Sequence, residues 1–279
     1  MPELPEVESI KVQLEKYLVS HRILNVEINY DKCFEGDVGN TLAAINAIRR
    51  FAKVLVLDLD NNYSIVIQIK MTGQLIYKGP NLTTGPISKK VLGGVPGKHT
   101  HVIFHLDRGG TLYYNDVRKF GKIRVLKTEE VTTSGLIGKL GPEPFKDLTA
   151  EEFKKITLKS KQPIKLLLMD QTKLAGIGNI YANDALWVAF INPKKISSKL
   201  SPSEISILFK AIEGVLTEGI KRGGASDRAY VTPDGGEGDY QKFSRVYGRA
   251  GEKCKRCGVV IEKQKIGGRG TYYCPHCQA

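Results

Sequence analysis

Cys254-Lys255-Arg256-Cys257 and Cys274-Pro275-His276-Cys277 form two C-x2-C pairs with sixteen residues between them, a spacing that leaves this end of the chain little freedom. Two such knuckles bring four thiolates to the corners of a tetrahedron. That is the ligand set of one structural zinc ion, and with four protein ligands no position stays open for a reacting water. His276 lies inside a knuckle but is not needed as a ligand. Four of the five cysteines fall in the last 26 residues, which is metal usage in a reducing compartment and not a disulfide framework. Cys33, left over, reads as a small buried thiol. Between the knuckles, the stretch from Lys263 to Thr271 sets Lys and Arg beside glycines, so a zinc-pinned hairpin could press Arg269 against a phosphate backbone or into a groove.

The charge balance points the same way. Over 279 residues, 42 Lys and Arg stand against 29 Asp and Glu, a net charge of +13. Such an excess attracts polyanions, and phosphate backbones are the commonest of these, although an inert basic surface would have the same composition. No apolar run is long enough to span a bilayer, and the opening MPELPEVES is acidic and unlike a signal peptide. A soluble, cytoplasmic chain with no membrane partner is expected.

Along the chain, Pro5 suits a first helical turn, and Val7, Ile10, Leu14 and Leu18 recur at helical spacing. Strand-like stretches follow at 23–30, 54–59, 64–69, 101–106, 111–114 and 122–126, separated by polar turns. Many short strands without alternating helices imply antiparallel sheets packed as a sandwich. Residues 81–98, rich in Gly, Pro and Lys, read as a long exposed loop. After Gly141-Pro-Glu-Pro144 the pattern turns helical, around Phe153 and Ile156 and again over 163–169. Ser201-Pro-Ser-Glu204 is a capping box ahead of a stripe made by Ile205, Leu208, Ile212, Leu216 and Ile220. Residues 223–239 read as a Gly-rich, mobile connector. The expected class is α+β: an N-terminal catalytic two-sheet antiparallel β-sandwich with a leading helix (1–135), a helical domain (145–235) and a four-cysteine zinc finger (244–279).

Two further segments carry chemistry. In Leu174-Ala-Gly-Ile-Gly-Asn179-Ile-Tyr181, glycines permit close backbone approach and the amides opening the next helix point toward an anion, with Asn179 adding a donor. A plain interhelical turn has the same composition. At the N-terminus, removal of Met1 would expose Pro2 as a secondary amine. An α-amino group has a pKa of about 8, so part of it is neutral and nucleophilic near neutrality. Its attack on a sugar aldehyde carbon gives an iminium that cannot discharge by losing an N–H proton, and this cation would promote elimination of adjacent phosphates. Glu3 and Glu6 lie beside it as proton donors or orienting groups. The same residues would also serve an ordinary first helical turn.

Together these segments resemble the formamidopyrimidine-DNA glycosylase (Fpg/Nei) family over almost the whole chain. The likeness is carried by Met1 to Glu8, Arg49 to Lys53, Met71-Thr-Gly73, Lys98-His-Thr-His101, Asn115 to Gly121, Leu140 to Pro144, Gly176 to Tyr181, Val246-Tyr-Gly-Arg249 and the finger. The resemblance implies a helix-two-turn-helix fold for the helical domain, and a bifunctional base-excision repair enzyme, glycosylase and AP lyase, acting on damaged double-stranded DNA. Nothing in the sequence suggests more than a monomer. The resemblance implies Pro2 as nucleophile at C1′, Glu3 as acid/base, Lys53 as proton donor in β-elimination and Arg269 as an aid to δ-elimination. It further implies His99, Arg118 and Lys161 as DNA contacts and Lys165 and Asn179 as phosphate grips. Met71, Arg118 and Phe120 would fill the void left by a flipped base. Otherwise Met71 and Phe120 would be core residues of adjacent strands, and Lys53 a solvated strand-end cation.

Leu4 and the intact Arg118-Lys-Phe120 segment favour the Fpg branch, whose substrates are 8-oxoguanine and formamidopyrimidines, over the endonuclease VIII branch with its oxidised pyrimidines. Gln68 and Asn183-Asp184 depart from the usual family pattern, and Arg228 and Tyr230 are candidates to touch the flipped base. The competing classes are a damage sensor of the same fold without chemistry, which would be expected to lose Pro2, Glu3 or Lys53, and a zinc-ribbon RNA-binding or translation factor, which leaves the N-terminus unexplained.

Overall fold

The computed structural model describes residues 1–80, 82 and 86–278. Packing divides the chain into two compact units, Met1–Gly138 with Ile220–Gln241, and Lys139–Gly219 with Lys242–Ala279.

The first unit opens with α1 (Leu4–Leu18), which buries Val7, Ile10, Leu14 and Leu18. Each of those side chains contributes about 1.5–3 kcal/mol by leaving water. Nine strands follow among the described residues: β1 (Ile23–Ile28), β2 (Phe34–Glu35), β3 (Ile45–Phe51), β4 (Val54–Leu59), β5 (Tyr63–Gln68), β6 (Gly73–Lys78), β7 (Thr100–Leu106), β8 (Thr111–Asp116) and β9 (Lys122–Lys127). They form a four-stranded sheet, β1-β7-β8-β6, and a five-stranded sheet, β2-β9-β5-β4-β3. All pairs are antiparallel except the short β2–β9 pair. One core takes alternate residues from both sheets, Val102, Phe104 and Leu106 from β7 and Ile65 and Ile67 from β5, together with the buried face of α1. The expected sandwich is therefore present.

Three of its strands escaped the sequence reading; β2 is only two residues long. β3 (INAIRRF) carries Asn and two arginines, with a register shift between Ile45 and Ala47 that breaks its alternation. β6 opens on Gly73, whose lack of a side chain is required because a Cβ there would lie 2.3 Å from the Ile69 carbonyl. The predicted loop over 81–98 joins β6 to β7; residues 81 and 83–85 lie outside the described residues.

The second unit holds α2 (Ala150–Lys159), α3 (Ile164–Met169), α4 (Asn179–Val188) and most of α5 (Pro202–Lys221), then the finger hairpin β10 (Glu262–Ile266) and β11 (Arg269–Tyr273). The capping box at the start of α5 is reciprocal. Ser201 N–H donates to Glu204 Oε2 at 2.7 Å, and Glu204 N–H donates to Ser201 Oγ at 3.2 Å.

Residues 223–239 differ from the mobile connector read in the sequence, and 220–235 pack with the first unit instead of the helical one. The reason is local chemistry. Ala225 N–H donates to Glu6, Tyr77 N–H donates to the Pro233 carbonyl at 2.7 Å, and Tyr230 sits in the sandwich core at 5% exposure. A polar, Gly-rich stretch is ordered once its backbone groups find partners.

Candidate active site and nucleic-acid interface

In the first unit Pro2 is buried, as are Glu3 and Glu6, while Met1 stays exposed. Glu3 is the N-cap of α1 and Glu6 its third residue, so two carboxylates sit at the positive end of the helix. Glu6 spans two segments: Oε2 accepts the Glu3 N–H at 2.6 Å and Oε1 accepts the Ala225 N–H at 2.7 Å. Gly224 permits this approach, since it holds φ +83° and a Cβ there would lie 2.8 Å from Glu6 Cγ. Tyr230 closes the cluster by donating its hydroxyl to the Gly223 carbonyl at 2.9 Å. Burial, reinforced by the Glu6 charge, pushes that hydroxyl well above its usual range, so it stays a donor.

Lys53 and Ala52 form the two-residue turn between β3 and β4, with Ala52 at φ +52°. Arg50 ties this turn to α1, donating Nη1 to the Ala52 carbonyl at 3.1 Å and Nε to Glu8 Oε2 at 2.5 Å. Lys53 is half-buried at that turn.

Met71, Arg118 and Phe120 are brought together on turns and not in the core. Arg118 Nη1 lies 3.2 Å from Met71 Sδ, its guanidinium sits 4.6 Å from the centroid of Phe120, and Phe120 is 52% exposed. Asp116, buried at the end of β8, builds this array. It accepts from Thr72 Oγ1 (2.5 Å), Arg118 N (3.2 Å) and Gly121 N (2.8 Å). Gly121 has no room for a Cβ, which would collide with the Tyr114 hydroxyl. His99 is half-buried beside the array, and its carbonyl accepts Asp116 N–H at 3.0 Å. Burial first, then the charges of Lys98, His101 and Lys119, lower the pKa of its ring.

In the second unit, α3 and α4 flank turns stapled by Gln171. Its Nε2 donates to the Met169 (3.0 Å) and Ile177 (2.8 Å) carbonyls, and its Oε1 accepts Gly176 N–H at 3.0 Å. Asn179 opens α4 and donates Nδ2 to the Gly270 carbonyl at 3.1 Å. Lys161 is exposed between α2 and α3. Lys165 is placed otherwise than as an open phosphate grip. It is fully buried and donates to Thr271 Oγ1 (2.7 Å), Gly270 O (2.9 Å) and Asn183 Oδ1 (3.3 Å). Asn183 and Asp184, the departures from the family pattern, also hold the finger. Asn183 Oδ1 accepts Tyr272 N–H at 2.9 Å. The buried Asp184 carboxylate accepts the backbone N–H groups of Arg245, Val246 and Tyr247 at 3.0–3.1 Å.

The four cysteine sulfurs lie within 4.8 Å of one another, and Cys257 and Cys274 are 3.5 Å apart. Tetrahedral thiolates about 2.3 Å from a zinc ion stand about 3.8 Å from one another, so the donor set fits one such ion. Burial raises the Cys254 thiol, but N–H donors from Arg256, Cys257 and Trp187 outweigh it and lower the thiol, whereas burial and the neighbouring thiols raise Cys277 and Cys274, so the four share their protons as one cluster. Arg256 packs between Trp187 and Phe190, 3.9 and 3.5 Å from their centroids, and so seats the first knuckle on α4. At the hairpin tip Gly267 and Gly268 both take positive φ, and Arg269 follows them, exposed.

Three family models match: the formamidopyrimidine-DNA glycosylase N-terminal domain over residues 1–123, its H2TH domain over 140–230, and the zinc finger found in FPG and IleRS over 251–279. The formamidopyrimidine-DNA glycosylase of Pelotomaculum thermopropionicum is 39% identical across 100% of this chain and 99% of its own length. The chain belongs to the formamidopyrimidine-DNA glycosylase family. The same-named protein of Streptococcus pneumoniae is 37% identical at equal coverage. Among solved structures, the Lactococcus lactis Fpg complex with DNA containing an abasic site is 35% identical, with TM-score 0.86 over 99% of both chains. A MutM complex with DNA containing carbocyclic 8-oxo-G is 36% identical, with the same TM-score and coverage.

Membership in the family carries the α+β sandwich, the helical domain and the finger together. Sequence reading named Glu6 as an orienting group but not Asp116, Gln171 or Arg256 as organisers. Of these three, Asp116 left a readable signal, a strand-ending Asp five residues before a glycine.

Proposed function

We propose that this chain is a bifunctional DNA glycosylase and AP lyase that excises oxidised purines, 8-oxoguanine and formamidopyrimidines, from duplex DNA. What carries the reading is that one compact unit holds both the buried Pro2-Glu3-Glu6 cluster and the exposed Met71-Arg118-Phe120 wedge. A solvent-facing phenylalanine stacked under an arginine buries little of its ring in the core, and it suits a gap in a base stack.

With Met1 removed, the Pro2 amine attacks C1′. The C1′–N bond to the base breaks and its electron pair leaves with the base, while the amine gives up its proton. The C1′–O4′ bond then opens, its electron pair going to O4′, which takes up a proton, and the nitrogen lone pair of Pro2 closes the C1′=N iminium. Loss of a C2′ proton then expels the 3′ phosphate, and a second elimination expels the 5′ phosphate. Glu3 serves as acid/base, Lys53 as proton donor in the first elimination and Arg269 as an aid to the second. His99, Lys161, Arg118 and Asn179 contact the DNA. Lys165 acts differently from a phosphate grip: its three protein acceptors make it a positioning residue for the finger. One zinc ion on the four cysteines is structural, and the enzyme acts as a cytoplasmic monomer.

Borohydride trapping on a duplex with 8-oxoguanine opposite cytosine tests this, with a 5-hydroxyuracil duplex in parallel. An adduct on the purine lesion, mapped to Pro2 and absent in Pro2→Gly, is expected. An adduct on the pyrimidine alone would move the chain to the endonuclease VIII branch. No adduct despite tight binding would make it a non-catalytic sensor.

A further inference from the structure

The loop over 225–239 is closed at its neck by the Ala225–Asp239 bridge, and Glu6 holds it from inside. A second set of contacts holds it from outside, and the chemistry above uses none of them. Lys90 Nζ donates to the Ser226 carbonyl at 2.5 Å and to Glu237 Oε2 at 2.5 Å, so one ammonium joins the two limbs of the loop. Ser88 N–H donates to the Gly235 carbonyl at 2.9 Å, and its hydroxyl donates to the other oxygen of Glu237. Gln74, buried on β6, donates Nε2 both to the Ala229 carbonyl (2.6 Å) and to the Lys90 carbonyl (3.0 Å). The partners sit at both limbs and the middle of the loop, which is what fixing a single conformation requires.

We infer that Lys90 is a specificity-determining positioning residue, which with Ser88 and Gln74 clips the 225–239 loop so that it selects the base to be excised. The inference rests on the glycosylase reading above. The loop begins at Ala225, whose N–H Glu6 holds, and carries Arg228 and Asp227, whose side chains are 70% and 38% exposed. Those groups can read the edge of a purine only from a fixed loop. A preformed abasic site has no base to read, and amine attack on its aldehyde does not call on the loop. Loosening the clip should therefore slow base excision and spare lyase chemistry.

The test compares Lys90→Met and Lys90→Arg with the wild-type holoenzyme. It measures single-turnover excision of 8-oxoguanine, cleavage at a preformed abasic site, and amide hydrogen exchange over 225–239. Losing both charge-assisted bonds should speed exchange and lower excision by about tenfold, with abasic cleavage within about twofold of wild type. Lys90→Arg, which keeps charge and donors, should restore most of the loss. Unchanged exchange would overturn the clip. So would a parallel fall in both activities that Lys90→Arg does not relieve. If the wild-type chain leaves 8-oxoguanine intact, the glycosylase reading fails, and the exchange data alone decide whether Lys90 orders the loop.

Discussion

The two units bury a charged side chain in opposite ways. In the first, an anion, Glu6, is held by backbone N–H groups at a helix N-terminus and in a glycine-flanked loop. In the second, a cation, Lys165, is held by a carbonyl, a hydroxyl and an amide oxygen. Each fastens a segment remote in sequence, Glu6 to Ala225 and Lys165 to Thr271. A buried charge is tolerable only when fully partnered, so both act as fasteners that permit one arrangement. What differs is the body around them. The sandwich supplies a core of its own, whereas a finger of two five-residue strands does not and relies on four converging thiolates.

Pro2→Gly is the sharpest test of this contrast. It should lower excision about a thousandfold or more, with metal content and duplex binding unchanged. Chelation of the metal should do the reverse. It should remove about 10 kcal/mol of apparent stabilisation from the finger. Trp187, the only tryptophan, donates its indole N–H to Cys254 Sγ at 3.4 Å, so its emission should shift. Amide exchange should rise over 251–278 while residues 1–138 keep their protection; equal loss in both would break the two-body picture.

Between the fasteners, Lys165→Met strips three acceptors of one donor and should cost about 3 kcal/mol, against about 1 kcal/mol for Glu6→Gln, which keeps an acceptor oxygen. Calorimetry on each variant ranks them, and a reversed order would mean that the loop, not the finger, is the more tightly held. Phe120→Ala should leave stability within about 0.5 kcal/mol while weakening lesion-duplex affinity about tenfold. An equal loss of stability would return Phe120 to a folding role.

The smallest effect concerns His99. Burial and neighbouring cations lower its pKa in the free protein, and an adjacent phosphate would raise it. DNA binding should then take up a proton between those two values, and affinity should fall as pH rises through that window. In folding, a lowered histidine pKa contributes stability above its unfolded value, and that contribution is lost as pH falls through the folded one. Binding titrations of wild type and His99→Gln across pH 5–8 separate the two.

The four-cysteine cluster, the α5 capping box and the burial stripe of α1 were legible because each is local or carried by a motif, and Met71, Arg118 and Phe120 were marked by the family resemblance alone. The strands β2, β3 and β6 were not legible, since β2 has only two residues and a register shift and an opening glycine hide the alternation of the other two. Residues 223–239 misled for a related reason: glycine and polar composition reports what a segment cannot do alone, not what a distant carboxylate can do for it.

Short-range chemistry in the chain therefore determines the four-cysteine cluster, the helix starts and the positive field. Only tertiary structure decides that Glu6 grasps Ala225, that Lys90 spans both limbs of the 225–239 loop, and that Lys165 faces the finger and not solvent. The physical reason is desolvation. A charged side chain in sequence is equally ready for water, phosphate or a backbone group, and only the packed surroundings remove the water and leave one partner in reach.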